Sequence, residues 1–321
     1  MALIDQSKLD TANTSVHVKF NDLFTTGSPL GAADLFVERI STDSLKNELA
    51  FAAPTGSWEL WDGSKTMQSL KAFKQSVVCK PRHYSIEIDR KDLAYDNSGI
   101  VGRHIGAQMT KASADYVQLI INEMVSNSGA GPLSYDGVNW LHTSHPMADG
   151  SVQSNKSTTA FSYANYDAGQ QAISSFVGHD GQPLGLFADT IVCGPKMRKT
   201  ALDIATNGAR PVAVSSANAY ADQGGTLTPV AATSIGNVFQ GEVRVIVCDR
   251  LVGAYDDYVY LMCTSKPDKP FLHLEARAPE LVTQFDMDSE RRFNLDKFAW
   301  SVEADCQSAC GFPLLTYGFI L

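Results

Sequence analysis

The chain is expected to fold as an α+β protein organised by one unusually long helix and several strands, without a regular βαβ alternation. Three observations lead there. Val101, Ile105, Met109, Ala112, Tyr116, Ile120 and Met124 recur at spacings of three and four, the apolar stripe of an amphipathic helix. Tyr84, Ile86 and Ile88 alternate with Ser85, Glu87 and Asp89, the period of a strand with one face covered. Apolar, strand-like runs at 190–193, 242–248, 258–263, 271–274 and 298–304 are separated by turn-rich stretches. With 321 residues, 44% of them hydrophobic and 19% charged, the chain can build a sizeable core.

In order along the chain, residues 1–50 are of mixed polarity, with Thr, Ser and Asn clusters and one short amphipathic piece near 32–40. They read as an extended arm carrying little core of its own. Residues 60–90 read as a long two-stranded excursion. The long helix starts after a cap at Asn97 or Ser98 and ends at Gly129 and Gly131, a rod of roughly 37 Å at the 1.5 Å rise of an α-helix. The polar, glycine-rich segment 131–160 reads as loop or short hairpin. A second helix is expected over 165–177, with Ala172, Ile173, Phe176 and Val177 inward. Gly194-Pro195 opens another, which runs to Thr206 and closes at Asn207-Gly208. Residues 208–240, rich in Ala, Ser, Thr and Gly, read as a long mobile surface loop.

Composition excludes several classes. No run approaches the roughly 18 apolar residues of a membrane span. The first ten residues lack the basic flank and apolar stretch of a secretory signal, so the protein is expected to stay where it is made. Six scattered cysteines (79, 193, 248, 263, 306 and 310) fit reduced thiols, and no disulfide is expected. A balance of 26 Lys and Arg against 35 Asp and Glu, net −9, argues against a dedicated nucleic-acid binder. From Lys65 to Lys91 the balance reverses, with seven bases and two acids, whereas residues 241–321 hold thirteen acids and eight bases. Such a basic segment is ordinarily a solvated face; the other reading is an arm seeking an acidic neighbour.

Candidates for chemistry are few. His142 and His145 form a His-x-x-His pair with Asp136 and Asp149 nearby, ligand types that hold zinc when a loop brings three together. One alternative function is therefore a metal-dependent hydrolase using His142, His145 and Asp149. Without a helical frame, however, such histidines are ordinarily hydrogen-bonded loop residues. Cys306 and Cys310 lack a second ligand pair, no Gly-x-Ser-x-Gly elbow occurs, and Asp256-Asp257 would point to opposite sides of a strand. No catalytic residue, metal or cofactor is expected. A further alternative is a non-catalytic binding module, such as a tail or adhesion component, that binds through the 208–240 loop.

A two-stranded excursion lacks a covering layer and must lie on something, which in a repeating assembly is the next subunit. The same pieces resemble a known family. Residues 61–65 (Trp-Asp-Gly-Ser-Lys), 84–100 (Tyr-Ser-Ile-Glu-Ile-Asp-Arg-Lys-Asp-Leu-Ala-Tyr-Asp-Asn-Ser-Gly-Ile), Tyr135-Asp136-Gly137 and His145-Pro146 are similar to the major head protein of Mu-like phages. So are Lys269-Pro270-Phe271, Arg277-Ala278-Pro279 and the stretch from Phe293 through Phe298 to Gly311. The likeness runs from about residue 51 to the C-terminus and is weakest at 208–240.

That resemblance implies the Hong Kong 97-like capsid fold: an N-terminal arm (1–50), an E-loop (51–91), a P-domain (92–184) with its spine helix (99–127), an A-domain (185–270) and C-terminal P-domain strands (271–321). The implied function is a major capsid protein of a tailed bacteriophage or prophage, self-assembling into pentamers and hexamers of an icosahedral shell around the genome. Trp58, Trp61, Gly63, Lys65, Lys71, Lys74, Lys80 and Arg82 are the expected E-loop contacts with a neighbouring subunit. Implied partners are further copies, scaffold or protease, portal and decoration proteins, and packaged double-stranded DNA held weakly, with no membrane. The implied location is the virion, assembled in the bacterial cytoplasm.

Overall fold

The apolar stripe at spacings of three and four becomes a 30-residue helix in a computed structural model of the chain. The structure describes residues 6–28, 30–52, 60, 63, 72–96, 100–129, 133–147, 150–212, 233–286 and 289–321. Its first half contains α1 (Gln6–Phe20), β1 (Val37–Ser41), β2 (Lys46–Ala52), β3 (Ala72–Val78), β4 (Lys80–Asp89), α2 (Arg90–Tyr95) and the spine helix α3 (Ile100–Gly129). Short strands β5 (His145–Pro146), β6 (Val152–Gln153) and β7 (Lys156–Ser157) precede α4 (Tyr163–Ser174), β8 (Thr190–Cys193) and α5 (Arg198–Thr206). Then follow β9 (Ala209–Val212), β10 (Thr233–Gly236), β11 (Arg244–Val247), β12 (Val259–Met262), β13 (Phe271–Gln284), α6 (Glu290–Leu295), β14 (Lys297–Cys310) and β15 (Thr316–Phe319).

Helix α3 is about 45 Å long at 1.5 Å per residue, and it buries Ile105, Met109, Ala112, Tyr116, Ile120 and Met124. These side chains share one core with a four-stranded sheet of order β1-β13-β14-β4. Strand β14 alternates from Lys297 to Gln307: Phe298, Trp300, Val302, Ala304 and Cys306 are buried, and the residues between them are half-exposed. The second sheet, β11-β8-β12-β15-β7, buries every residue of β8 and β12. One of its faces joins the first core through Val192, Tyr260 and Met262; the other, with Ile191, Val259, Leu261 and Phe319, shares a core with Tyr166 and Ile173 of α4 and Ala201 and Ile204 of α5.

Three expectations are corrected. The first 50 residues are not a coreless arm: Ala12, Val16, Phe20 and Phe24 enter the main core, with Phe20 and Phe24 stacked at 5.2 Å and Phe24 edge-on to Tyr116 at 6.2 Å. Their four-residue spacing is a helix stripe, but one so narrow that Thr, Asn and Ser dominate the composition around it. Strand β1 adds parallel to β13, Val37 opposite Phe271 through Ser41 opposite Glu275.

The excursion is also redrawn. Strand β2 pairs antiparallel with β3, from Lys46 opposite Val78 to Ala52 opposite Ala72, so the paired strands lie at 46–52 and 72–78 and the two-stranded excursion does not run over 60–90. Strand β4 instead pairs with β14 over its whole length, and its Tyr84, Ile86 and Ile88 pack on the main core. Finally, the 208–240 segment is not loop throughout, because β9 pairs antiparallel with β10; residues 213–232 lie outside the described residues.

A polar network is enclosed where α3 crosses β13 and β14. Tyr116 Oη donates to Glu275 Oε1 at 2.9 Å, and Arg39 of β1 binds Glu275 Oε2 at 2.8 Å. His273 Nε2 stands 2.8 Å from Tyr116 Oη, and its Nδ1 lies 2.8 Å from Ser308 Oγ. With the Tyr116 proton committed to Glu275, Nε2 carries the imidazole proton and Nδ1 accepts from Ser308, which makes a neutral ring. Burial, reinforced by the Arg39 and Arg82 charges, pushes His273 down to about 4 against the opposing pull of Glu275.

The unfolded chain therefore binds a proton at His273 that the folded chain refuses between about pH 6.5 and pH 4. This contribution to stability is complete above pH 6.5 and is lost as pH falls through that window, at most about 3 kcal/mol. Urea unfolding of wild type and His273→Gln at pH 7, 5 and 4 is expected to show a steeper acid loss in wild type. Parallel curves would contradict it.

Candidate assembly interface

The hairpin β2–β3 is anchored at its base on its own chain. Phe73 lies 5.0 Å from the ring of Tyr135 and 5.0 Å from that of His179, and Tyr135 stacks on Phe312 at 5.8 Å, distances at which aromatic pairs attract. Gln75 Nε2 donates to Leu133 O at 3.3 Å. Val77 and Cys79 form a small buried cluster with Leu272, Leu274 and Ala309. The covering layer that a bare hairpin needs is thus supplied intramolecularly for its lower half. Phe73 carries this anchoring and was missed by the sequence reading, since one aromatic between two lysines has no periodic signature.

The predicted contact residues fall into four groups. Trp58, Trp61, Lys65 and Lys71 lie outside the described residues. Gly63 has φ of 108°, a conformation suited to glycine, and nearby Leu60 is 94% exposed. Lys74 sits on β3 and meets Glu48 across the hairpin at 3.3 Å, both well exposed, a pair that adds little to stability. Lys80 and Arg82 are not on the hairpin at all. They lie on β4, at the sheet edge, because pairing changes partner at Cys79, whose N donates to Leu45 O at 2.7 Å.

The alternation in β4 and β14 leaves an open sheet face. A groove of about 360 Å³ there is lined by Ser85, Glu87, Val282, Gln284, Ala299 and Ser301, among others. Glu87 accepts from Arg291 at 2.9 Å and Lys297 at 2.5 Å, and these bonds, Lys297 first, hold its carboxyl below the usual range. Arg277 reaches Glu303 at 3.4 Å and Asp305 at 3.3 Å. At the tip of the β13–β14 hairpin, α6 leaves Phe293 90% exposed and Leu295 57% exposed.

The histidine loop is a structural knot. His145 is buried, with Nδ1 2.5 Å from Asp136 Oδ2 and Nε2 3.0 Å from Asn155 Oδ1. The Asn155 amide donates to Trp140 O at 2.8 Å and Pro313 O at 2.9 Å. His142 Nδ1 accepts from Ser144 N at 3.1 Å, and the two imidazoles stand 6.2 Å apart at 85°. Both nitrogens of His145 are engaged, Asp149 lies outside the described residues, and the described residues contain no cluster of three metal-ligating side chains. The hydrolase reading therefore finds no support. Asp256 and Asp257 do not diverge: they follow a short 3₁₀ turn and converge on Lys196 Nζ at 3.1 and 2.6 Å. Cys306 and Cys310 are buried on β14, and burial pushes the Cys306 thiol up to about 11.

The chain matches the family model of the Mu-like prophage major head subunit gpT over residues 9–160 and 238–319. The match thus takes in most of the first 50 residues, where the sequence resemblance found nothing. No curated protein matches the chain in sequence. Among solved structures, the procapsid of bacteriophage JBD30 is similar at 17% identity and a TM-score of 0.52, covering 98% of this chain and 75% of that one. The capsid of bacteriophage JBD30 aligns at 10% identity and TM-score 0.51 over 91% of this chain and 65% of that one. The capsid of an empty GTA particle aligns at 8% identity and TM-score 0.51, covering 90% and 88%. These likenesses establish the Hong Kong 97-like capsid fold, and with the family match spanning most of its length, the chain belongs to the Mu-like prophage major head subunit family.

Proposed function

We propose that the protein is the shell-forming subunit of a phage or prophage head, assembling as pentamers and hexamers around packaged DNA. The observation that carries this reading is the hairpin: its base is fixed by Phe73, Gln75, Val77 and Cys79, and Leu60, between its two strands in sequence, is 94% exposed. In this reading the hairpin 46–78 is the E-loop, and its lysines lie across the open β4–β14 face of an adjacent copy. Charge there sets register and encounter more than affinity. The two sheets serve as P-domain and A-domain, built on α3 and on β8 and β12.

Exposed Phe293 and Leu295 suit a second contact between copies. The net charge of −9 suits a lining that holds DNA weakly. Scaffold or protease, portal and decoration proteins would be the remaining partners, and the virion the location, with assembly in the host cytoplasm. Such a role needs no catalysis. The test is sedimentation with negative-stain electron microscopy of the chain expressed alone and with its neighbouring gene products. Closed icosahedral shells are expected; a monomer of about 35 kDa under every condition would sink the proposal.

A further inference from the structure

Strand β4 ends the four-stranded sheet: β14 pairs with one side of it, and no described strand pairs with the other. Between this free edge and α3 runs a groove of about 330 Å³, lined by Arg82, Tyr84, Ala112, Tyr116, Leu119 and Val302 and bordered by His83 and Asp115. Asp115 is engaged with Arg250 at 3.2 Å. Among the described residues the Arg82 guanidinium makes one hydrogen bond, from Nη2 to Gln307 Oε1 at 3.2 Å. Its Nε is buried and has no acceptor among the described residues, and no ion pair to Arg82 occurs among them. A buried N–H without an acceptor is a cost that the isolated chain carries, and the guanidinium has no carboxylate among the described residues to offset it.

We infer that this groove receives a carboxylate from an extended segment of a second copy, which adds alongside β4 and accepts from the Arg82 guanidinium. The inference rests on the shell reading. A free strand edge pairs with extended backbone, and since Pro81 offers no N–H, pairing runs from Arg82 onward. The start of β4 is basic (Lys80, Arg82, His83), whereas the chain is acidic overall and residues 241–321 hold thirteen acids against eight bases, so another copy supplies the complementary charge. Guanidinium is the cation whose planar fork matches a carboxylate.

The test uses the full chain, co-expressed with its neighbouring gene products, as wild type, Arg82→Met and Arg82→Lys. Two quantities are read: the melting temperature of the unassembled subunit, and the concentration at which shells form. Arg82→Met removes the orphaned N–H, so its subunit is expected to melt at or above wild type while the concentration needed for shells rises about tenfold or more. Arg82→Lys keeps the charge without the fork and is expected to fall between. Shells formed at the wild-type concentration by Arg82→Met overturn the proposal, as does a lowered melting temperature with unchanged assembly, which makes Arg82 an intrachain support. Unchanged assembly with reduced packaged DNA overturns it in favour of a phosphate occupant. A wild type that makes no shells overturns the shell reading and this inference together; normal wild-type shells with indifferent variants overturn this inference alone.

Discussion

Replacing residues 53–71 with a two-residue Asn-Gly turn is expected to abolish closed shells while leaving a folded subunit. The register allows the change, because Ala52 stands directly opposite Ala72, the spacing that such a turn closes without disturbing the strands. The anchoring residues Phe73, Gln75, Val77 and Cys79 all lie on the retained side, as does the whole of β4, so none of the described core residues is removed. Trp58, Trp61, Lys65 and Lys71 are removed together. Thermal melting within a few degrees of wild type, with sedimentation showing only unassembled subunits or isolated capsomers, is the expected result. Closed shells from the shortened chain would remove the hairpin from the account of assembly. A deletion extended beyond 78 would be uninformative, since it would strip β4 from the sheet.

The largest effect on the subunit itself is expected from Trp300→Ala. Trp300 is fully buried on β14, opposite Ile86 of β4, and its Nε1 donates to Asn13 Oδ1 of α1 at 3.2 Å. One side chain thus joins the sheet to the N-terminal helix. Truncation removes the largest apolar surface in that layer and leaves a cavity between rigid elements, a loss of about 3–5 kcal/mol by comparison with buried aromatic truncations. Trp300→Phe keeps most of the volume and loses the hydrogen bond, and about 1–2 kcal/mol is expected. Urea unfolding of the unassembled subunit measures both. A loss under about 1 kcal/mol for the alanine variant would mean that α1 does not pack on β14 as described.

The sequence was most legible where structure is local. The stripe from Ile105 to Met124 is a property of one helix face, and all six of its described members are buried. Strands β8, β11 and β12 stand within the runs assigned to them. Helix α4 was placed within three residues at either end, with Ser162 Oγ capping it by accepting from Asn165 N at 3.3 Å. The quoted motifs were enough for the family, because their order along the chain is itself a local record.

What the sequence alone determined, then, is the spine helix, the strand inventory, the acidic balance with its basic segment, and membership in a capsid family. Tertiary structure decided the partners. Nothing near residues 80–89 in sequence says that they pair with β14, whose Ser301 meets Ser85 across 216 residues. Lys80 and Arg82 therefore looked like hairpin residues and are sheet-edge residues. Likewise Ala12, Val16, Phe20 and Phe24 look too sparse for a core until α3 and β14 supply the opposite wall. The physical reason is the same in each case: periodicity reports which face of an element is apolar, whereas the surface that covers that face is assembled from distant parts of the chain.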